Sequence, residues 1–217
     1  TVPSTATLGT YDLRIMVNDT DGASTGWSTY DDVITVTNNN PLLSNYNLSS
    51  SSVLRTSTIV IGMNTTDVED SESTHTVIVQ YRATSGGWKT SYLSTLWYDS
   101  SASRWETNFT PATTAELGSY DLRIMVNDTD GDSTNWSVYD DVIQVVSNPP
   151  TITSYNVTDN SILRTETTIV LVEVSDIEDD DQDVSVTVQY RVSSGDWMTN
   201  YFEQPWYNSS DSRWETN

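Results

Sequence analysis

The chain has 217 residues, enough for one large domain or two ordinary ones with sizeable cores. It carries 31 acidic residues against 9 basic ones, a formal net charge of -22, and such a surface repels phosphate backbones and anionic lipid, so neither nucleic acid nor a membrane is an expected partner. The absence of cysteine rules out disulfides, thiolate nucleophiles and zinc–thiolate sites, and no apolar run approaches the roughly 20 residues of a membrane-spanning helix.

Aliphatic residues are scarce, but 8 Trp and 12 Tyr each bury a large ring, which argues for a folded chain. The acidic excess has two physical readings, cation binding or solubility in saline surroundings. Asp outnumbers Glu and clusters in turn-rich segments, which favours cations.

Taken in chain order, the first strand-like run, 11–17, leads into the turn Asn18-Asp19-Thr20-Asp21-Gly22. Residues 11–22 recur unchanged as 120–131, and a gapless self-alignment at that offset of 109 places Trp27 on Trp136, Arg55 on Arg164, Tyr81 on Tyr190 and Trp88 on Trp197. The linker-like stretches 38–41 and 147–150 lie one period apart. They divide the chain into the last part of one repeat (1–39), a whole repeat (40–147) and the first part of a third (148–217). The chain is therefore expected to be a window on a longer array, with any targeting segment outside it, or one whose ends pair with neighbouring copies.

Within the whole repeat, β-rich runs are expected near 42–48, 56–64, 76–82, 88–93, 103–109, 120–126 and 137–146. The clearest is 120–126, where Tyr120, Leu122, Ile124 and Val126 alternate with Asp121, Arg123 and Met125, a period of two with one buried face. Val77, Val79 and Tyr81 alternate likewise, as do their copies Val186, Val188 and Tyr190. No segment sustains a helical period. The expected fold class is all-β, as tandem Ig-like β-sandwich repeats of about seven strands each.

Gly118-Ser119-Tyr120, the alternating strand, the turn Asn127-Asp128-Thr129-Asp130-Gly131 and the opening Pro149-Pro150-Thr151-Ile152 resemble PKD-type and cadherin-like Ig repeats. The 109-residue unit is similar to Ig-like repeats of archaeal surface-layer and other prokaryotic surface proteins. That resemblance implies spacer, fibre or adhesion modules at the cell surface, some of which bind calcium. Tyr11 and Tyr120 hold the position of a tyrosine corner, whose hydroxyl bonds back to the main chain.

Two acidic loops suit a hard cation. Asp19 and Asp21, with their copies Asp128 and Asp130, flank a glycine-permitted turn between the last two strands. Asp67, Glu69 and Asp70, with Asp176, Glu178 and Asp179, lie between the second and third strands. Each loop alone reads equally well as a solvated tight turn. In an Ig-like sandwich, however, both loops emerge at the end that carries the N-terminus. The carboxylates then crowd beside the Asn38–Asn40 linker, and Ca2+ converts their repulsion into attraction. Asp140, one of the pair that opens the last strand, is either a further ligand or a β-bulge.

Trp88, Trp97, Tyr98 and Trp105 are expected to pack in the core, with stacking on surface glycans as the alternative. Glycosylation sequons fall at Asn47, Asn64, Asn108, Asn135, Asn156 and Asn208, and at Asn18 and Asn127 inside the candidate metal turn. No catalytic motif appears, and His75, whose counterpart is Val184, points to no repeated site. The reading is a non-enzymatic extracellular filament, stalk or surface-layer element that associates with copies of itself through Ca2+-stiffened junctions. An adhesin, a carbohydrate-binding module and spacer repeats of a secreted protein are the alternatives.

Overall fold

The computed structural model describes residues 1–84 and 86–217. Its elements are β1 (Gly9–Ile15), β2 (Ser28–Val36), β3 (Leu42–Leu48), β4 (Ser52–Leu54), β5 (Ile59–Thr66), a 3₁₀ turn at Glu72–Thr74, β6 (Thr76–Ala83), β7 (Trp97–Asp99), β8 (Arg104–Phe109), β9 (Gly118–Asn127), β10 (Ser137–Val146), β11 (Thr151–Val157), β12 (Val170–Ser175), β13 (Trp206–Asn208) and β14 (Arg213–Thr216). The fold is all-β, with no α-helix among the described residues.

Two compact units are present, one of residues 1–53, 57–110 and 118–144, the other of 54–56, 111–117 and 145–217. The first is built on two four-stranded sheets, in the order β3-β5-β8-β7 and β4-β10-β9-β6. In Ig nomenclature these are the A-B-E-D and A′-G-F-C sheets, so strand order by itself identifies an Ig-like sandwich. A third, two-stranded sheet, β1-β2, belongs to the same unit. The second unit is built on β11-β12-β14-β13, which repeats the A-B-E-D order.

Period-two patterning explains the packing. Tyr120, Leu122, Ile124 and Val126 of β9 and Val77, Val79 and Tyr81 of β6 turn inward against Ile59, Ile61, Met63 and Phe109 of the facing sheet. Tyr81 is the centre of an aromatic cluster, stacked on Tyr92 at 4.9 Å and edge-on to Phe109 at 5.2 Å. One outward position departs from the alternation. Asp121 is buried because Arg82 Nε donates to its Oδ2 at 2.8 Å and the Asp141 N–H donates to its Oδ1 at 2.8 Å.

Segment 88–93, expected as a strand, makes two single bridges among the described residues, Lys89 to Tyr81 and Leu93 to Phe109. Trp97–Asp99 takes the place beside β8 instead. The tyrosine corner is formed at Tyr11, whose hydroxyl donates to the Thr7 carbonyl at 2.6 Å.

Candidate functional site

The acidic loop at 67–75 and the turn at 127–133 emerge from the same end of the first unit and touch. The Thr129 N–H donates to Asp70 Oδ2 at 3.0 Å, and the Thr129 hydroxyl donates to the same carboxylate. The linker closes over both loops: Asn38 Nδ2 donates to Asp128 Oδ2 at 2.7 Å, and Asn39 Nδ2 donates to Glu69 Oε1. Asp67, Glu69, Asp70 and Asp128 are therefore gathered beside the linker, and Asp130 lines the same small crevice with Asn39, Val68 and Glu69.

Much of this carboxylate capacity serves the loops themselves. Asp67 Oδ1 accepts the N–H groups of Glu69 and Asp70 at 2.8 and 3.2 Å, while Asp128 Oδ1 accepts those of Asp130, Gly131 and Asp132 at 3.0, 2.7 and 2.9 Å. Asp19 does the same for Asp21 and Ala23 at 3.1 and 2.8 Å in the turn that Asp21 shares. Gly131 stands at φ +104°, where a β-carbon would be strained, which explains the glycine.

Two oxygens are left over. Asp67 Oδ2 and Glu69 Oε2 are shielded from solvent and have no hydrogen-bond partner among the described residues. Burial pushes the Asp67 carboxyl up, but the Glu69 and Asp70 N–H groups, the adjoining Glu69 side chain and the nearby His75 together hold it below the usual carboxylate range. The His75 ring is buried, with Nδ1 2.8 Å from Thr65 Oγ1 and Nε2 unpartnered.

The clasp of linker on loop recurs in the second unit, but there both Glu178 oxygens accept from the Asn148 N–H. Asn148, one period after Asn39, donates its N–H to Glu178 Oε1 at 3.0 Å and its Nδ2 to the same oxygen at 2.9 Å. It also reaches the Arg55 carbonyl at 2.9 Å. Asp176 Oδ1 accepts the N–H groups of Glu178 and Asp179 at 2.7 and 3.1 Å. The Glu178 N–H is the main reason that the Asp176 carboxyl lies below its ordinary range, and the Glu178 side chain adds to it. Sequence reasoning placed the carboxylates but gave the linker asparagines only a secondary part. Their spacing of one period from each other, beside equivalent Asp-x-Glu triplets, was the available signal.

No group of three or more His, Asp or Glu side chains stands within reach of a single ion among the described residues. Asp67 and Glu69, with one buried open oxygen each, are the carboxylates of this cluster whose hydrogen-bonding capacity is not fully used.

Asp140 is not part of this cluster. Its neighbour Asp141 has φ +53° and forms a bulge capped by Asp121, as Asp32 at φ +55° is capped by Asp12, so the bulge reading of this pair is the one the structure has. The Asp140 carboxylate lies 4.0 Å from Arg82, where a guanidinium already supplies the positive charge.

Trp88 and Trp97 are not core residues, contrary to expectation, whereas Trp105 stands half-buried on the inward face of β8, opposite Met63. The Trp105 indole N–H donates to the Glu72 carbonyl at 2.8 Å, and its copy Trp214 donates to the Asp181 carbonyl at 2.9 Å, so both brace the acidic loop. Trp88 lies under the guanidinium groups of Arg82 and Arg123 at 4.5 and 4.6 Å, and Trp136 under Arg123 at 4.1 Å. Arginine covers these rings because the alternation that buries Tyr81 and Leu122 sends Arg82 and Arg123 outward. Tyr98 meets Trp105 edge-on at 5.7 Å, and Trp97 is exposed.

Among the sequons, Asn135 and Asn156 are exposed, Asn64 reaches the Ser103 carbonyl at 3.3 Å, and Asn108 is half-buried. Asn47 lies against Arg104 and Gly62. Asn208 is tied to Glu215 at 2.9 Å.

No family model matches the chain, and no curated protein matches it. Among solved structures it is similar to the titin domains Z1Z2 in complex with telethonin, at 16% identity over 83% of this chain and 82% of that one, with a TM-score of 0.37. The Ig-like assignment rests on strand order and packing.

Proposed function

We propose that the chain is a structural, extracellular tandem-repeat protein of a filament, stalk or surface layer, whose repeats join head to tail at seams stiffened by Ca2+. The supporting observation is the side-by-side pair Asp67 and Glu69, each with a buried oxygen that accepts nothing, held against linker residue Asn39. Two carboxylates in contact need a proton or a cation between them. The same residue types recur one period later as Asp176, Glu178 and Asn148, in keeping with a device used at every seam. A hard divalent ion takes oxygen ligands from carboxylates, amides and main-chain carbonyls, all present here.

Such an ion fixes the angle between linker and loop, converting a hinge into a stiff joint. The excess of acid keeps neighbouring arrays apart in solution and suits a surface bathed in salt. Glycans on exposed asparagines such as Asn135 and Asn156 would add a hydrated coat.

Calorimetric titration of the chain with CaCl2 at neutral pH is expected to show two sites, and chelation by EDTA to lower the melting temperature. Glu69→Gln is expected to remove one site and leave the other. Absence of calcium heat, together with a melting temperature unmoved by EDTA, overturns the calcium seam. A pair that merely shares a proton reveals itself in the same way, by stability that changes with pH and ignores calcium.

A further inference from the structure

We infer that the outer face of each A-B-E-D sheet binds a neutral oligosaccharide, which stacks on Trp97 in the first unit and on Trp206 in the second. The inference goes beyond the calcium seam and does not depend on it.

The partners of the tryptophans single out these two residues. Trp27, Trp88, Trp136 and Trp197 lie under arginine. Trp105 and Trp214 donate their indole N–H to a main-chain carbonyl and meet a tyrosine edge-on. Trp97 and Trp206 have neither a ring partner nor a hydrogen-bond partner among the described residues, and they are exposed to nearly the same extent, 37% and 39%. They are copies of one another, one period apart. Packing does not explain two bare rings in a chain that covers its other indoles.

Strand register gives each ring the same polar neighbours. In the first unit Trp97 of β7 pairs with Glu106 of β8, Glu106 with Gly62 of β5, and Gly62 with Asn47 of β3. These four residues form one row across the sheet, on the face opposite to Ile61, Met63 and Phe109. In the second unit the row is Trp206, Glu215, Leu171 and Asn156. Each row spans three strand spacings, about 14 Å, the reach of a few linked pyranose rings. Arg104 lies flat over Gly62, where a β-carbon would stand 2.9 Å from its Nε. Over the second row opens a cavity of about 330 Å³ lined by Asn156, Leu171, Arg213 and their neighbours.

An arginine–glutamate pair occupies the middle of each row. Arg104 Nε and Nη2 donate to Glu106 Oε1 at 2.8 and 2.6 Å, and Arg213 Nε donates to Glu215 Oε1 at 2.9 Å. The Oε2 of each glutamate accepts no hydrogen bond among the described residues. A pyranose has an apolar C–H face and a rim of hydroxyls. The indole takes the face, while Oε2 accepts from a hydroxyl beside it. Charge selects the sugar. Arg104 and Glu106 cancel, which leaves no cation for a uronate or a sulfate, and a chain of net charge -22 repels both. A neutral glycan meets no such repulsion.

The test is calorimetric titration of the chain, expressed in a host without N-glycosylation so that Asn47 and Asn156 are bare. The probes are cellohexaose, mannohexaose, laminarihexaose and chitohexaose, with a galacturonate hexamer as the acidic control, each taken to millimolar concentration. At least one neutral hexamer is expected to bind at two sites per chain, and the galacturonate to give no heat. Trp97→Ala is expected to reduce two sites to one, and its combination with Trp206→Ala to remove both. In the Trp206→Ala background, Glu106→Gln is expected to weaken the remaining site about tenfold. Both rings stand at the surface, so the alanine variants are expected to melt within a few degrees of the parent, which separates lost binding from lost folding.

Silence from all four neutral hexamers, binding that survives the double alanine variant, or galacturonate bound as tightly as the neutral sugars overturns the inference. Self-association of the sugar-free chain that Trp97→Ala abolishes also overturns it, because the occupant is then a second copy. None of these results bears on the calcium seam, since Trp97 lies outside the acidic cluster.

Discussion

Residues 11–17 and 120–126 are the same seven amino acids in two environments. Leu13 is 37% exposed and Val17 61%, while Leu122 and Val126 are both at 0%. Both copies are extended, and both carry the bulge in which an aspartate on one strand captures the N–H of a left-handed aspartate on the next. Hairpin conformation is thus a property of the local sequence, whereas burial is conferred by the A-B-E-D sheet that faces one copy and not the other. The segment around Tyr190 teaches the converse. It alternates as well as β6 does, yet forms no ladder, because β6 owes its ladder to β9.

The sharpest way to break this comparison is to truncate both copies of one leucine. Leu122→Ala is expected to cost about 2–5 kcal/mol by denaturant unfolding. Leu13→Ala, in dilute monomeric chain, is expected to stay within about 0.5 kcal/mol. Equal losses would mean that the first hairpin is covered as fully as its copy.

A second pair tests the bulge. Asp121→Asn takes from the Arg82 guanidinium its nearer carboxylate, leaving Asp140 at 4.0 Å, and weakens the bond to the Asp141 N–H, which is expected to cost about 1–3 kcal/mol. Asp12→Asn, at an exposed bulge, is expected to cost less than half as much by the same measurement. A reversal of that order would show that the bulge, rather than burial, sets the energy.

The smallest effect is that of acid. Asp121 is held below its ordinary range, first by the Asp141 N–H, with burial opposing and Arg82 adding to the effect. A depressed folded-state value means that its stabilising contribution is complete above the unfolded carboxylate pKa of about 4 and is lost as pH falls through the lower folded value. Asp67 and Asp176 act in the same direction. Melting temperature followed from pH 7 to pH 3 is therefore expected to fall below about pH 4 despite relief of the -22 net charge, and Asp121→Asn is expected to flatten that fall. A parent chain that gains stability on acidification would show that global repulsion outweighs these local bonds.

Most of the strand positions could be read from alternation, because a buried face imposes a period of two wherever side chains are large. Strand β7 and segment 88–93 could not. Both hold bulky aromatic and polar residues without clear alternation, and which of them joins the sheet edge depends on where β8 lies. The acidic cluster was readable as far as topology allowed, since loops from the same end of a sandwich must meet. The outer tryptophans were misread because ring size signals burial only when no arginine is at hand to cover the face. Composition could not reveal that Arg82 and Arg123 project on the same side as Trp88.

The sequence by itself determined the 109-residue period, the all-β class, the inward faces of β6 and β9 and the two acidic loops, because these depend on local pattern and on identity between copies. Tertiary structure alone decided that Asn39 and Asn148 clasp Glu69 and Glu178, that Asp67 and Glu69 each keep an open buried oxygen, and that Asp140 belongs to a bulge. Those outcomes hinge on which groups already have partners, and partners are assigned only when distant strands pack.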